Sequence, residues 1–221
     1  MSDAEAWWPL FGLSVHTPRL TLTVPTDDMY AEICDVALGG VHAPDFMPFS
    51  EEWTDAPKAD LARNAMQFLW STRAGWSADS WHLEFAVHHQ GRPIGMKAIW
   101  AENFSVTREF WTGSWLGLPY QGQGFGKEMR AAVLHLGFTQ LAAEWAVSNS
   151  YQDNPASRAV NQAHGYQDDG FVIRSRRGKP AHWLQYRLAA GDWSGRHPLD
   201  TGITVTGLDA CRDMFVGTPQ P

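Results

Sequence analysis

The chain has 221 residues, of which 44% are hydrophobic and 19% are charged, and its formal net charge is -7. This length and composition predict one globular domain with a substantial apolar core. The negative charge argues against a general nucleic-acid-binding protein, because phosphate backbones attract a surplus of lysine and arginine. No stretch approaches the ~18 consecutive apolar residues of a membrane span, and the acidic start lacks the basic residues of a secretory signal. We therefore expect a cytoplasmic protein that acts on neither a membrane nor a nucleic acid.

The two cysteines, Cys34 and Cys211, lie far apart and show no metal-ligand spacing. We interpret them as buried thiols, and we expect no metal site. The chain also has twelve tryptophans. Several stand in alternating patterns, so we expect most of them to pack on a sheet.

Alternation of apolar residues predicts strands, whereas recurrence every three to four residues predicts helices. Glycine, proline and capping residues mark where these elements begin and end. The predicted elements, in chain order, are a strand at 19–25, a helix capped by Asp27 or Asp28 and ended by Gly39 and Gly40, a helix begun by Asp55 and Pro57 and ended by Gly75, a hairpin of 83–88 and 94–100, a strand ending at Leu118, a helix closing near Phe138, a strand at 144–148, a helix from Asn154 to Gly165, and a hairpin of 166–174 and 181–188.

A glycine-rich stretch at residues 121–128 joins a predicted strand to a predicted helix. Its glycines permit a tight turn that directs several N–H groups to one point, and the helix adds the positive end of its dipole. We interpret this as an anion site that suits phosphate. A dinucleotide fingerprint would need glycine at Lys127, and a P-loop would need serine or threonine at Glu128, so neither pattern fits. A glycine-rich turn without a ligand stays the alternative.

The pattern Gln-x-x-Gly-x-Gly, formed by Gln121, Gly124 and Gly126, resembles the pyrophosphate loop of the GNAT acyltransferases. Downstream, residues 153–166 resemble the Asn-x-x-Ser helix and closing Gly-aromatic pair of the RimL-like branch of that family. The order and separation of the two motifs also match. The resemblance covers about residues 82–188 well and the N-terminal part more loosely.

The resemblance implies a mixed α/β fold. Its central sheet would be mixed and mostly antiparallel, with splayed middle strands and helices on both faces. We expect an N-terminal arm at residues 1–18 and the acyltransferase domain at 19–189. The C-terminal appendage at 190–221 would contain a short strand at 203–206 and could support a homo-oligomer.

The same resemblance implies an N-acyltransferase that uses an acyl-CoA. Loop N–H groups would bind the pyrophosphate, and the exposed backbone after the splay would pair with pantetheine. The implied cofactor-binding residues are Leu116, Leu118, Gln121, Gly122, Gln123, Gly124, Phe125, Gly126, Asn154 and Ser157.

Three residues are candidates for the chemistry. The Leu118 N–H would face the thioester oxygen as charge develops, and Ser157 would give a proton to the sulfur. Many relatives carry a tyrosine where this chain has Asn161, which weakens a tyrosine-acid mechanism. Relatives often carry a glutamate at the position of Trp111, so Glu109, on the same strand face, is the candidate base. A helix-surface role for Ser157 and a solvated edge position for Glu109 stay as alternatives.

The proline-rich stretch at 41–49 covers the acceptor side of the cleft in the family, so His42 and Asp45 are candidate substrate contacts. A packed loop with a hydrogen-bonded histidine is the alternative. The acceptor would be an amine on a small molecule, peptide or protein. Acetyl-CoA is the default donor, and the chain also resembles a subgroup with succinyl-CoA-using members. Two other hypotheses remain, a CoA-binding module without catalysis and a structural protein without a ligand.

Overall fold

In the computed structural model of the protein, which describes residues 3–193 and 202–217, a nine-stranded sheet runs through the molecule in the order β7-β8-β6-β5-β4-β3-β2-β1-β9. Within the described residues only β5 and β6 pair in parallel. The predicted mixed, mostly antiparallel sheet is confirmed. The strands are β1 Ser14–His16, β2 Leu20–Thr23, β3 Ser80–His89, β4 Arg92–Glu102, β5 Glu109–Leu116, β6 Trp145–Tyr151, β7 Gln167–Arg176, β8 Lys179–Ala189 and β9 Thr204–Thr206.

Helices cover both faces of this sheet. Among the described residues, no helix is both long and apolar enough to cross a membrane. The helices are α1 Asp3–Trp7, α2 Asp27–Leu38, α3 Lys58–Ala74, α4 Phe104–Thr107, α5 Phe125–Leu134, α6 Pro155–Ala163 and α7 Asp213–Val216, and a π-helical turn, His135–Gln140, extends α5.

Side chains alternate along β5, so one face of the strand packs on α5 and the other on α2 and α3. Phe110 packs so closely on the π-helical turn that a β-carbon built on Gly137 would lie 2.4 Å from its ring. On the opposite face, Trp115 packs against the cluster that joins α2, α3 and Met96 of β4. We call these two sides the α5 face and the α2/α3 face.

Two helix starts differ from the predictions. The N-cap of α2 is Thr26, whose hydroxyl accepts the Met29 N–H at 3.4 Å, so Asp27 and Asp28 lie in the first turn instead. Helix α3 begins at Lys58 after Pro57, and Asp55 lies in the preceding 3₁₀ turn. The Asp55 carboxylate is bound by Arg177 of the β7–β8 turn, a long-range contact that the local sequence does not show.

Both ends of the described chain join the main sheet. The predicted arm contains β1, which pairs with β2 and with β9, the short strand predicted in the C-terminal segment. The indole of Trp81 donates to the Phe215 carbonyl at 3.1 Å, and Cys211 is fully buried. Residues 203–216 therefore contribute to the same core as the β-sheet.

Candidate functional site

The glycine-rich loop presents a run of backbone donors at the start of α5. Gly122 and Gly124 adopt φ values of 73° and 82°, a left-handed conformation that favours glycine. Within the described part of the chain, the N–H groups of residues 122–126 have no protein acceptor. The first N–H bonds of the helix, from Lys127 and Glu128, go to the Gly124 carbonyl at 3.1 and 3.2 Å. Unpaired donors at a helix N-terminus suit an anion.

Gln121 fixes the entry to this loop. Its side-chain amide donates to the Leu116 carbonyl at the end of β5 and to the Val41 carbonyl, each at 2.8 Å. The side chain thereby ties the loop both to the strand that precedes it and to the segment after α2. These two hydrogen bonds hold the entry of the loop in place.

Arg19 is a cation beside the loop that the sequence analysis missed. It donates to the Gln123 carbonyl at 3.1 Å, and its guanidinium carbon lies 4.6 Å from the centre of the Phe125 ring. A β-carbon built on Gly124 would lie 3.4 Å from Arg19 Nη2. The buried Glu128 holds Arg19, because its carboxylate accepts from Nε at 2.6 Å and from the Arg19 N–H at 2.9 Å. More than a hundred residues separate these partners, so no local pattern reveals the contact.

The middle of the sheet is open beside the loop. Strands β5 and β6 pair from Glu109 with Trp145 to Thr112 with Ser148, and the pairing ends there. The Gly117 N–H donates to Ile94 on the β4 side at 2.9 Å. Because successive residues of a strand direct their backbone groups to alternate sides, Ser114 and Leu116 face the open side. We call this side of residues 113–116 the open edge of β5, and it matches the splay that the resemblance implies.

The Leu118 N–H is not available to a thioester oxygen in this conformation. It donates to the Gly40 carbonyl at 3.0 Å, because the segment after α2 crosses the end of β5. The oxyanion role predicted for Leu118 therefore lacks its donor here. Leu118 itself is 46% exposed.

Asn154 and Ser157 form the N-terminal turn of α6. The Asn154 side chain accepts the Ser157 N–H at 3.1 Å, and Pro155 occupies the first helical position. Asn154 is thus the N-cap of α6. Both side chains are half-buried. The cap fixes Ser157 on the first turn of α6.

Glu109 lies at the start of β5, seven residues before Leu116, which is about 23 Å along an extended strand. Its carboxylate pairs with Arg187 of β8 at 3.0 Å, and its side chain is 15% exposed. Arg187 also pairs with Asp169 at 3.3 Å. The structure therefore gives Glu109 a cross-sheet ion pair and does not bring it to the loop.

A model of the GNAT acetyltransferase domain matches residues 19–167, which is more than half of the chain. The chain belongs to the GNAT acetyltransferase family. Its solved structural neighbours include RimJ and RimL, which share the fold.

Three of these solved GNAT structures share the fold at low sequence identity. RimJ from Mycobacterium smegmatis, in complex with CoA-disulfide, matches with a TM-score of 0.69 at 18% identity, over 83% of this chain and 90% of RimJ. RimL, a ribosomal L7/L12 alpha-N-protein acetyltransferase in complex with coenzyme A, matches with a TM-score of 0.63 at 15% identity, over 78% of this chain and 95% of RimL. The spermidine/spermine N-acetyltransferase SpeG from Vibrio cholerae, solved in mutant forms, matches with a TM-score of 0.61 at 15% identity, over 80% of this chain and 98% of SpeG.

His42, a predicted substrate contact, is fixed within its own loop. One ring nitrogen lies 2.8 Å from the Ala43 carbonyl and the other 2.6 Å from the Thr54 hydroxyl. These contacts favour the packed-loop interpretation of His42. Asp45 is exposed.

The turn between β7 and β8 closes over this loop through two arginines. Arg177 forms two hydrogen bonds to the Asp55 carboxylate, at 2.6 and 2.7 Å, and donates to the Pro44 carbonyl at 2.9 Å. Arg176 binds both oxygens of Asp153 at 2.7 Å. These hydrogen bonds hold the pKa of the Asp55 and Asp153 carboxyls below their usual range. We call this set of contacts the arginine clamp.

Proposed function

We propose that this GNAT protein transfers an acyl group from a CoA thioester to an amine. The observation that carries the proposal is the run of unpaired N–H groups at residues 122–126 beside the open edge of β5. The N–H groups and the α5 dipole suit a pyrophosphate. The open edge suits the amide-bearing pantetheine arm, which would bind as an added strand.

The donor supplies an acyl group that is already activated as a thioester. The protein therefore has to bind and orient the two substrates and to transfer protons. Gln121 and Arg19 hold the loop in shape. Ser157 would hold a proton at its hydroxyl near the departing sulfur, and Asn154 would contact the cofactor. Correct placement of an amine beside the thioester contributes much of the rate in such a reaction.

We infer the class of the amine acceptor from the names of the solved neighbours. RimL is named for a protein α-amine and SpeG for spermidine and spermine. We propose an amine on a protein or a small molecule, approaching from the side of His42 and Asp45. Acetyl-CoA is the default donor, succinyl-CoA is a second option from the resemblance, and a cytoplasmic location fits either donor.

A second candidate is a CoA-binding GNAT module without catalysis. It is favoured by Trp111, which stands where relatives carry a glutamate, and by the ion pair that holds Glu109. A direct transfer without a base is still feasible, because an α-amine with a pKa of ~8 is partly neutral at physiological pH.

Two measurements separate these functions. In a thermal-shift assay, CoA should raise the melting temperature of the protein under either function. Free thiol released from acetyl-CoA or succinyl-CoA, together with mass spectrometry of the acceptor, should then show amine-dependent acylation with at least one of a panel of peptides, polyamines and aminoglycosides. A CoA-induced shift without any acylation would favour the inactive module, and no shift at all would contradict both.

A further inference from the structure

Strand β7 is an open edge of the sheet. It stands last in the strand order, and among the described residues no strand lies on its outer side. Every residue from Gln167 to Ser175 is exposed. The opposite edge of the sheet, β9, is only three residues long, and a very short edge strand is one way in which proteins avoid unwanted pairing. Strand β7 has ten residues and lacks that protection.

Three consecutive apolar side chains lie in the middle of this edge. Phe171, Val172 and Ile173 are 56%, 43% and 56% exposed. Because side chains alternate along a strand, both faces of β7 are apolar at this point. Single exposed apolar side chains are ordinary, whereas a contiguous apolar stretch on an open edge marks an interaction site.

The hairpin turn after β7 determines which of its backbone groups point outward. Arg176 and Lys179 flank a two-residue turn, and both turn residues, Arg177 and Gly178, have positive φ, 48° and 73°. In such a tight hairpin the flanking pair exchanges both hydrogen bonds, and hydrogen-bonded residues alternate from there along the strands. The residues whose N–H and C=O groups point away from β8 are therefore Phe171, Ile173 and Ser175.

The apolar centre of β7 is flanked by side chains of opposite charge that lie on one face of the sheet. Asp169 precedes the centre and pairs with Arg187 of β8 at 3.3 Å, while its side chain stays 47% exposed. Arg174 follows the centre and lies over the ring of Trp183 of β8, and it forms no salt bridge within the described residues. Trp183 and Arg187 are four residues apart on β8, so they share a face, and Asp169 and Arg174 share it with them.

This pattern is complementary to a second copy of itself. When two β7 strands run antiparallel with Val172 opposite Val172, the outward groups of Phe171 and Ile173 meet each other. The bulge at residues 169–170 counts as one position, because two residues of β7 oppose one of β8 there. Arg174 of each copy then faces Asp169 of the other copy. A parallel arrangement in register would instead place like charges side by side.

We propose that β7 pairs antiparallel with β7 of a second copy of this chain, about a two-fold axis at Val172, so that the two sheets become continuous. Such an interface uses the same patch on both copies, which is the usual form of a two-fold dimer. The contact therefore lies on β7 and not on the C-terminal segment, whose residues 203–216 contribute to the core of their own chain. This pairing is independent of the function proposed above.

Sedimentation equilibrium of the full chain tests the pairing between about 1 µM and about 1 mM, the range in which weak and moderate complexes dissociate. The wild-type protein should show a monomer–dimer equilibrium. Arg174→Glu places like charges opposite each other at two symmetric positions, so it should raise the Kd of the dimer about tenfold or more. Asp169→Arg should have the same effect.

The double variant Asp169→Arg with Arg174→Glu restores opposite charges across the interface and should return the Kd to near the wild-type value. Residues 169 and 174 lie about 13 Å apart along their own strand, so this recovery arises only between copies. Arg92→Glu reverses an exposed arginine at the start of β4 and is the matched control, with a wild-type Kd expected.

Ile173→Pro removes one outward N–H and leaves the hydrogen bonds to β8 in place, because an edge strand tolerates proline where the N–H faces solvent. This variant should stay monomeric over the whole concentration range, and its melting curve shows whether it has folded. The charge variants keep the test decisive if it has not.

A wild-type protein that stays monomeric up to about 1 mM would overturn this inference. A dimer whose Kd is unchanged in Arg174→Glu and in Asp169→Arg would also overturn it, because the interface would then lie elsewhere. Weaker association in both single variants without recovery in the double variant would contradict the antiparallel register about Val172. Each of these results leaves the proposed CoA site standing.

Discussion

At the level of single residues, Asn154 combines an observed cap with a proposed contact to the cofactor. Asn154→Ala should lower the free energy of unfolding by about 1 kcal/mol, because the Ser157 N–H loses its acceptor. It should also raise the KM for acyl-CoA. Asn154→Asp retains an acceptor at this position, so it should keep the stability and still raise the KM. A wild-type KM in the Asn154→Asp variant would show that Asn154 acts only as a helix cap.

Ser157 should affect turnover more than cofactor binding, because a proton donor to the sulfur acts mainly in the transition state. We expect Ser157→Ala to lower kcat by about 10²-fold or less, the lower range of general-acid effects. The helix should remain intact, since the bond to Asn154 uses the Ser157 backbone N–H. The test is to measure kcat of both proteins by steady-state kinetics with a saturating amine between pH 6 and 9. Full kcat in Ser157→Ala throughout that range would leave Ser157 as a helix residue only.

At the level of elements, the arginine clamp joins the β7–β8 turn to the loop before α3 through Arg177 and to the residues before α6 through Arg176. Because the pKa of Asp55 and of Asp153 is lower in the folded state, the clamp stabilises above the unfolded carboxyl pKa of ~3.9 and weakens as pH falls through the folded values. The protection of the amides in residues 44–55, taken relative to their intrinsic exchange rate at each pH, should therefore be high at neutral pH and fall below about pH 4.

A double variant, Arg176→Met with Arg177→Met, should show fast exchange in residues 44–55 already at pH 7. Arg63→Met is the matched control, because Arg63 pairs with Asp60 within α3, where both side chains are exposed, and joins no separate elements. Unchanged exchange in the double variant would show that the loop is held by its apolar contacts, such as Phe49 with Trp53.

At the level of the whole molecule, the sequence predicted what local patterns encode. Glycines at alternate positions, an Asn-Pro pair before a helix and alternating apolar runs each act over a few residues, so the loop, α6 and the central strands could be located. The helix cap at Thr26 shows the limit of this approach, because two adjacent aspartates offered equally good local signals.

Contacts between distant residues were beyond local patterns. The Arg19–Glu128 pair, the Leu118 bond to Gly40 and the Glu109–Arg187 pair depend on which strands become neighbours. Lys97 likewise lay in a run that predicts a strand, and its burial emerges only when β4 is placed beside β5 under α5.

The most direct test of the central claim is the affinity for CoA of two glycine variants, measured by calorimetry. Gly124→Asp places a side chain and a negative charge where the loop N–H groups converge, whereas Gly91→Asp makes the same change in the β3–β4 turn. Both glycines have positive φ, 82° and 74°, so the backbone strain is matched. We predict a loss of CoA affinity of about tenfold or more in Gly124→Asp and wild-type affinity in Gly91→Asp. Unchanged affinity in a folded Gly124→Asp protein would contradict the assignment of this loop as the CoA site.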